Sequence, residues 1–508
     1  MSTPPADLGV PSGPDASSGA DAPPGSLGPA DPVIGSAVPR GRRGRHVRSR
    51  REARGEDVAP VVPDAPDTAT DTAAEATPEG RPSQVRSVAH LLLASGVLPL
   101  VSLATGPLLA RVLGLEGRGN LSAVLAPVAL VPYLLAFGLG DGAAYLVARR
   151  GRRPGDVALV LGGLGAAAGA LGAGVLWLLA PVLLHKYPEG ITLLRLLGLT
   201  LVPAMALSIV QSARVGEGRY DLLVAERWIS GLSRLAALLS LAVAGALTVT
   251  TGAWAQVGVL LVAQCTALVA LSRPRARWRE ANEIARSGIA YGSRAWGGEL
   301  SGFVVLRLDQ TVMLPLAGAG QLGLYVVAVA LAEVPTLLLG DLRRLLLTEV
   351  AASRDATVAA RACRLALLAI GVPVVLGMAA TPFLIPLLFG SEFAGAVPMA
   401  IVLLGASMFS GLNMFLGGSI SALGRPGAQS AAQAASLVVA VLGIGLIAPF
   451  GGMGAAWASL ASYLTATAFM LVLFRRLTGH RIREVVVPRR ADLAFLSSSA
   501  LRLLRRNR

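Results

Sequence analysis

The sequence predicts an all-α integral membrane protein: about twelve transmembrane helices in two six-helix bundles, with both termini cytosolic. Three observations predict it. Charged residues make up 15% of the 508-residue chain, hydrophobic ones 54%, and mean hydropathy is +0.63. A soluble domain carries about 25% charged residues. Apolar stretches of the roughly 20 residues that cross a bilayer recur from Ser87 to Phe474. The arginines gather in alternate loops, as the positive-inside rule demands.

Residues 1–85 are rich in Pro, Ala, Gly, Ser and Asp. Such a composition buries too little apolar surface to offset chain entropy, so a disordered cytosolic tail is expected. Within it, the basic run Arg40–Arg54 reads as a solvated charge cluster holding the terminus in the cytosol. Its sharper reading is a tether to anionic membrane lipid, at about 1 kcal/mol per basic residue near the surface. The first apolar segment starts too late and runs too long for a cleavable signal.

Residues 86–272 form the first expected bundle. Its crossings are Ser87–Ala110, Leu121–Gly140 (interrupted by Pro127 and Pro132), Val157–Leu184, Ile191–Val210, Ile229–Thr248 and Ala253–Leu271. Residues 273–287 are a basic linker. Residues 288–474 form the second bundle, which opens with a hairpin over Gly288–Pro335 and continues with Leu365–Leu388, Pro398–Ile420, Ala431–Ile447 and Gly454–Phe474. Residues 475–508 are a basic cytosolic tail, with leucines and arginines mixed as in an interfacial amphipathic helix or a plain charged tail.

Charge placement tests this count. Arginine clusters follow the second, fourth, sixth, eighth, tenth and twelfth segments, while the intervening loops hold only Arg111, Arg118, Lys186 and Arg195. The net charge of +15 therefore reflects topology, and a nucleic-acid partner is not expected. Cys265 and Cys363 lack metal-like spacing and read as two buried free thiols. The four histidines are scattered. The sequence presents no nucleophile triad, phosphate loop or metal motif, so neither an enzyme nor a cofactor is expected.

The hairpin concentrates the chemistry. Glu299, Arg307, Asp309, Gln310 and Glu333 fall at depths where an ionised group costs about 2.5–3.5 kcal/mol on insertion scales, so they should face a wet cavity or a partner. At 100° per residue Glu299 and Gln310 nearly coincide, and Arg307 and Asp309 lie about 80° to either side. One face of this helix is thus polar. That placement argues against Arg307 and Asp309 bonding each other within the helix, though a salt bridge to another helix is an open alternative. The halves also echo each other: Leu113–Pro132 overlays Leu316–Pro335 without gaps, with Gly117/Gly320, Leu121/Leu324 and Pro132/Pro335 among the matches. Parallel repeats of six-helix bundles are a transporter architecture.

Four stretches carry a family resemblance. LGLEGRGNLSAVLAPVALV (Leu113–Val131) with FGLGDGAAY (Phe137–Tyr145), the Asp-Gln pair and Gly-x-Tyr within Arg307–Pro335, PLLFGSEFAGAVPMAIVLL (Pro386–Leu404), and GRPGAQSAAQ with PFGGMGAAWASLASY (Gly424–Gln433, Pro449–Tyr463) stand in order. Together the chain resembles the multidrug/oligosaccharidyl-lipid/polysaccharide (MOP) exporter superfamily, and within it the Wzx-type polysaccharide-biosynthesis flippases. The resemblance implies a flippase that moves a polyprenyl-diphosphate-linked oligosaccharide across the cytoplasmic membrane by alternating access, for exopolysaccharide, capsule or another envelope glycan. Polysaccharide polymerase and glycosyltransferases are the partners it implies.

Such a substrate needs fixed positive charge, polar groups for sugar hydroxyls and a gap for its tail. Arg307 is the expected phosphate contact, since guanidinium binds phosphate bidentately, with Gln310 and Asn413 expected at sugar hydroxyls. For those neutral residues helix–helix hydrogen bonding is the alternative. Glu299, Asp309 and Glu333 are expected to pair with Arg307 in the empty site or to take up a coupling proton or cation. The first helix has no interior arginine, Arg111 and Arg118 falling at its outer end and loop, which argues against a peptidoglycan-precursor role. A cation-coupled multidrug exporter of the same superfamily is the competing reading, and a non-transporting scaffold for glycan-synthesis enzymes is the third.

Overall fold

The computed structural model describes residues 82–337, 355–423 and 427–487 together with positions 343, 346–347, 350, 353, 425 and 489; side chains at 82–100, 102, 295, 297–299, 301–302, 337 and 428 are outside that description. The N-terminal tail with its Arg40–Arg54 run, and the chain beyond Arg489, lie outside the described residues.

Among the described residues the long elements are all helical. They are α1 (Pro82–Leu135), α2 (Leu139–Ala148), α3 (Pro154–Leu183), α4 (Glu189–Leu199), α5 (Leu201–Gly216), α6 (Tyr220–Val243), α7 (Val249–Gln264), α8 (Trp278–Ala317), α9 (Ala319–Leu337), α10 (Ala356–Phe389), α11 (Val397–Ala422), α12 (Gly427–Gly443), α13 (Ile447–Thr478) and the short α14 (Ile482–Val486). Eight stretches of described helix are long and apolar enough to cross a membrane.

Local chemistry sets the boundaries. Pro154 opens α3 with a residue whose missing N–H would be unsatisfied there in any case. Thr248 and Thr251 cap α7 reciprocally. Asp355 caps α10 by accepting from Thr357 N at 2.8 Å, and the Thr357 side chain and backbone N–H hold this carboxyl below the usual aspartate value. Gly318, at φ 90°, ends α8 and turns the chain into α9.

Four sequence expectations change. The second crossing runs unbroken through Pro127 and Pro132 to Leu135, and its interruption falls at Phe137 and Gly138, with φ 44° and 64°. Helix resumes immediately after the break at Gly114 (φ 68°), so Arg118 sits inside a helix and not in a loop. Cys265 is exposed while Cys363 is buried, and both thiols are free. From Trp278 onward the basic linker is the helical start of α8.

Basic residues outside the arginine-rich loops have structural work. Arg111 donates Nε to the Leu388 carbonyl at 2.8 Å and a second N–H to that of Leu387, which caps the end of α10. Lys186 reaches the Leu316 carbonyl at the end of α8, 3.3 Å away. Arg195 donates to the Trp177 carbonyl and lies over its ring, 5.0 Å from the centroid. Cations belong at helix C-termini, where carbonyls are unsatisfied and the dipole is negative. At the opposite end, buried Arg214 pairs with Glu217 and donates to the Val269 carbonyl at 2.9 Å, tying α5 to the turn after α7.

The two segments that overlay in sequence meet in space, where α1 packs on α9. A Cβ on Gly119 would overlap the Ala319 carbonyl, and one on Gly323 would overlap that of Leu115. The contact is reciprocal and made by backbone. Overpacking costs about 1–3 kcal/mol, so Gly119→Ala should lower the detergent-solubilised protein's melting temperature by several degrees. Gly163→Ala, with open space around its Cα, should leave it unchanged or slightly raised; equal effects at both positions would count against the backbone contact.

Candidate functional site

Helices α8, α9, α11 and α13 pack together and enclose a cavity of about 70 Å³. Asp309, Tyr325, Glu333, Thr336, Ser407, Ser410, Ser459 and Tyr463 supply its polar lining, and Val305, Leu306, Val329 and Leu403 part of its apolar one. Two of the predicted residues, Asp309 and Glu333, line the cavity, and Arg307 and Gln310 stand next to them on α8. Arg307 Nη2 lies 3.8 Å from Glu333 Oε1, joining α8 to α9. Its Nη1 donates to Gln310 Oε1 at 3.4 Å, one turn along. Both contacts are long, and the paired side chains are 37% and 40% exposed. An ion pair of that kind contributes at most about 1 kcal/mol.

Asp309 is held differently. One carboxylate oxygen accepts from Gln310 N at 2.6 Å and the other from the Tyr325 hydroxyl. The same hydroxyl lies 3.4 Å from Ser459 Oγ, so three helices converge on one phenol. Arg307 and Asp309 share α8 yet have different partners, as their separation around the helix requires.

Gln310 is buried, and its Nε2 has no hydrogen-bond partner among the described residues, an unspent donor beside Arg307. Asn413 is not in this constellation. It is buried in the seam between α11 and α13, donating to the Tyr463 carbonyl at 3.2 Å and accepting from Thr467 Oγ1 at 2.9 Å. Helix–helix bonding, the alternative role expected for it, thus engages one N–H and one lone pair of its amide. The Glu299 side chain lies outside the described ones. Thr105 turns its hydroxyl back onto the Val101 carbonyl at 2.8 Å.

Reasoning from single helices missed Tyr325, Ser459 and Tyr463. The signal for Tyr325 was the Gly-x-Tyr at Gly323–Tyr325, a phenol in a mostly apolar helix, which when buried needs a partner. Ser459 gave none, being one small hydroxyl in a helix of small residues.

Residues 108–398 match the family model described as Polysaccharide biosynthesis protein. No curated protein matches the chain. Among solved structures, an inward-facing multidrug resistance MATE family transporter of the MOP superfamily superposes with TM-score 0.60 at 15% identity, over 76% of this chain and 98% of the other. The lipid II flippase MurJ in an inward closed conformation gives 0.56 at 12% identity, over 76% and 89%. The MATE multidrug transporter DinF-BH gives 0.51 at 14% identity, over 80% and 98%. At such identities the likeness is one of fold.

Removing the Tyr325 hydroxyl strips a buried carboxylate of its cross-helix donor, a loss of about 1–3 kcal/mol. Tyr325→Phe should therefore lower the melting temperature, and adding it to Asp309→Asn should cost less than the sum of the single changes. Strict additivity would mean the bond contributes nothing.

Proposed function

Because the chain belongs to the polysaccharide biosynthesis protein family, we propose that it is a flippase for a polyprenyl-diphosphate-linked oligosaccharide, exporting it across the cytoplasmic membrane by alternating access. The transported glycan serves exopolysaccharide, capsule or another envelope polymer. On this reading the chain crosses the membrane twelve times as two six-helix bundles, with both termini cytosolic. The observation that carries the proposal is the Arg307–Glu333 pair, a cation inside the membrane, loosely held at 3.8 Å by a carboxylate that lines the cavity in a chain of this family.

Its chemistry follows from the weakness of that pair. A diphosphate offers Arg307 two oxygens in the plane of the guanidinium, a better partner than one carboxylate oxygen at 3.8 Å. Substrate then displaces Glu333, which is freed to take a proton or cation and so couple loading to a driving ion. Asp309 stays engaged by Tyr325 and gives α8 and α9 a fixed relation during the exchange. Gln310, with its unspent Nε2, supplies a further donor to the phosphate or the first sugar. A cavity of about 70 Å³ is small beside an oligosaccharide, so loading one requires the helices to part. That requirement is the physical content of alternating access here.

A cation-coupled multidrug exporter is the second reading, favoured by the MATE transporters among the fold neighbours. Against it stand Arg307 beside the cavity and an aromatic content of only 5%, since cationic drugs are met by acidic, aromatic-walled cavities.

Cells lacking the gene should accumulate a polyprenyl-diphosphate oligosaccharide and lose a surface polymer, read by mass spectrometry of extracted lipids beside the surface glycan. An unchanged profile in a strain without a second such transporter sinks the flippase reading. Arg307→Ala should abolish export while membrane insertion and abundance stay normal; unimpaired export in that variant removes Arg307 from the site. A green fluorescent protein fused after Arg508 should fluoresce, as it does only in the cytosol.

A further inference from the structure

A second constellation lies where α2 and the end of α1 run against α8. Three ring pairs cross this seam. Tyr145 stacks on Tyr291, centroids 4.0 Å apart and planes within 7°. Phe137 lies tilted against Trp296 at 4.9 Å. Tyr133 stacks on Phe303 at 3.7 Å and 13°. Between the rings, backbone meets backbone: Gly138 against Gly292 and Gly142 against Gly288, where a Cβ on either member would overlap the other's carbonyl or, at Gly288, the Leu161 side chain.

These rings are paired without being sequestered, since Tyr133 is 40% and Phe137 44% exposed. At 100° per residue Trp296, Phe303 and Arg307 fall within about 40° of one another on α8. At 1.5 Å per residue that shared face spans about 17 Å from Trp296 to Arg307, a length on the scale of a short oligosaccharide, with the Tyr145–Tyr291 pair about 120–160° round α8 from it at the head of the seam. The seam starts at the arginine-rich end, four residues before Arg149. One carboxylate joins it. Asp141 stands a helical turn from Tyr145, partly buried, with no hydrogen-bond or ion-pair partner among the described residues.

Packing alone explains this poorly. Rings placed for cohesion are buried, and a carboxylate within a membrane segment is paired; here the rings are half open and the carboxylate is unspent. Saccharides ask for this combination. Their C–H faces carry slight positive charge and lie on the negative faces of aromatic rings, and their hydroxyls donate to carboxylates.

We propose that this seam is the saccharide-binding surface of the protein. The ring pairs part to take sugar rings between them, Asp141 accepts from sugar hydroxyls, and Arg307 holds the diphosphate at the far end. A ring that leaves another ring for a sugar face exchanges one weak contact for another of the same order, while the glycine contacts and the bond from Trp296 Nε1 to the Tyr133 carbonyl (3.0 Å) are what the bound glycan must offset to open the seam. The inference rests on the flippase reading and adds which surface reads the glycan.

Its test separates the sugar from the lipid. Purified protein in nanodiscs is offered undecaprenyl diphosphate and, separately, the glycan-bearing lipid extracted from cells lacking the gene, with binding read by native mass spectrometry. Wild type should prefer the glycan-bearing form by about tenfold or more, a modest gain for several stacked rings and one carboxylate. Phe303→Leu, and independently the isosteric Asp141→Asn, should each lose most of that preference while binding bare undecaprenyl diphosphate as wild type does. Arg307→Ala should do the converse. Preference retained in both Phe303→Leu and Asp141→Asn overturns the seam and leaves the flippase reading intact. Failure of wild type to bind either lipid overturns both.

Discussion

Two helices in lipid have little hydrophobic reason to associate, because the hydrocarbon around them is as apolar as their own side chains. What holds them is close approach of backbones and the satisfaction of polar groups that lipid cannot serve. The meeting of α1 with α9 rests on the first of these. Gly119 and Gly323 each admit a carbonyl from the other helix where any side chain would collide. The glycine contacts between α2 and α8 repeat the device at the arginine-rich end. Because the central hairpin of α8 and α9 is gripped through backbone at both places, its outward faces are left to carry chemistry instead of interlocking leucines.

Polar satisfaction then divides the interior into two kinds of site. Asn413 with Thr467, and Tyr325 with Asp309 and Ser459, are closed networks in which donors find acceptors on neighbouring helices. The Arg307–Glu333 contact, the free Nε2 of Gln310 and the unpartnered Asp141 are open ones. Closed networks hold helices in place. Open ones leave interaction energy that an incoming ligand can claim, which is why the transport proposal is built on the second group.

Much of this was legible in one dimension. Apolar runs of bilayer length mark helices whatever their neighbours, and Gly318 breaks the hairpin where the sequence turns glycine-rich. The angular separation of Arg307 and Asp309 already forbade an intrahelical bond, and their different partners follow from it. The same reasoning failed where a competing local signal was louder. Pro127 and Pro132 suggested an interruption, but the helix passes through both and breaks at Phe137 and Gly138, since neighbouring helices stabilise a helix that has lost two hydrogen bonds. Asn413 was legible as either a sugar contact or a helix–helix donor, because its partners lie 50 and 54 residues away.

By itself, then, the sequence determined the class of the protein, the helical segments and the presence of costly charge in the α8–α9 hairpin, since each depends on the transfer of a residue or a short run from water to lipid. Which charge is spent and which is free was decided only by the tertiary structure. Tyr325 reaches Asp309 across 16 residues and Ser459 across 134, and the aromatic seam joins residues more than a hundred positions apart. Hydrogen bonds and ring contacts fall off within a few ångströms, so their pairing is a property of how the helices pack, and no periodicity within one helix records it.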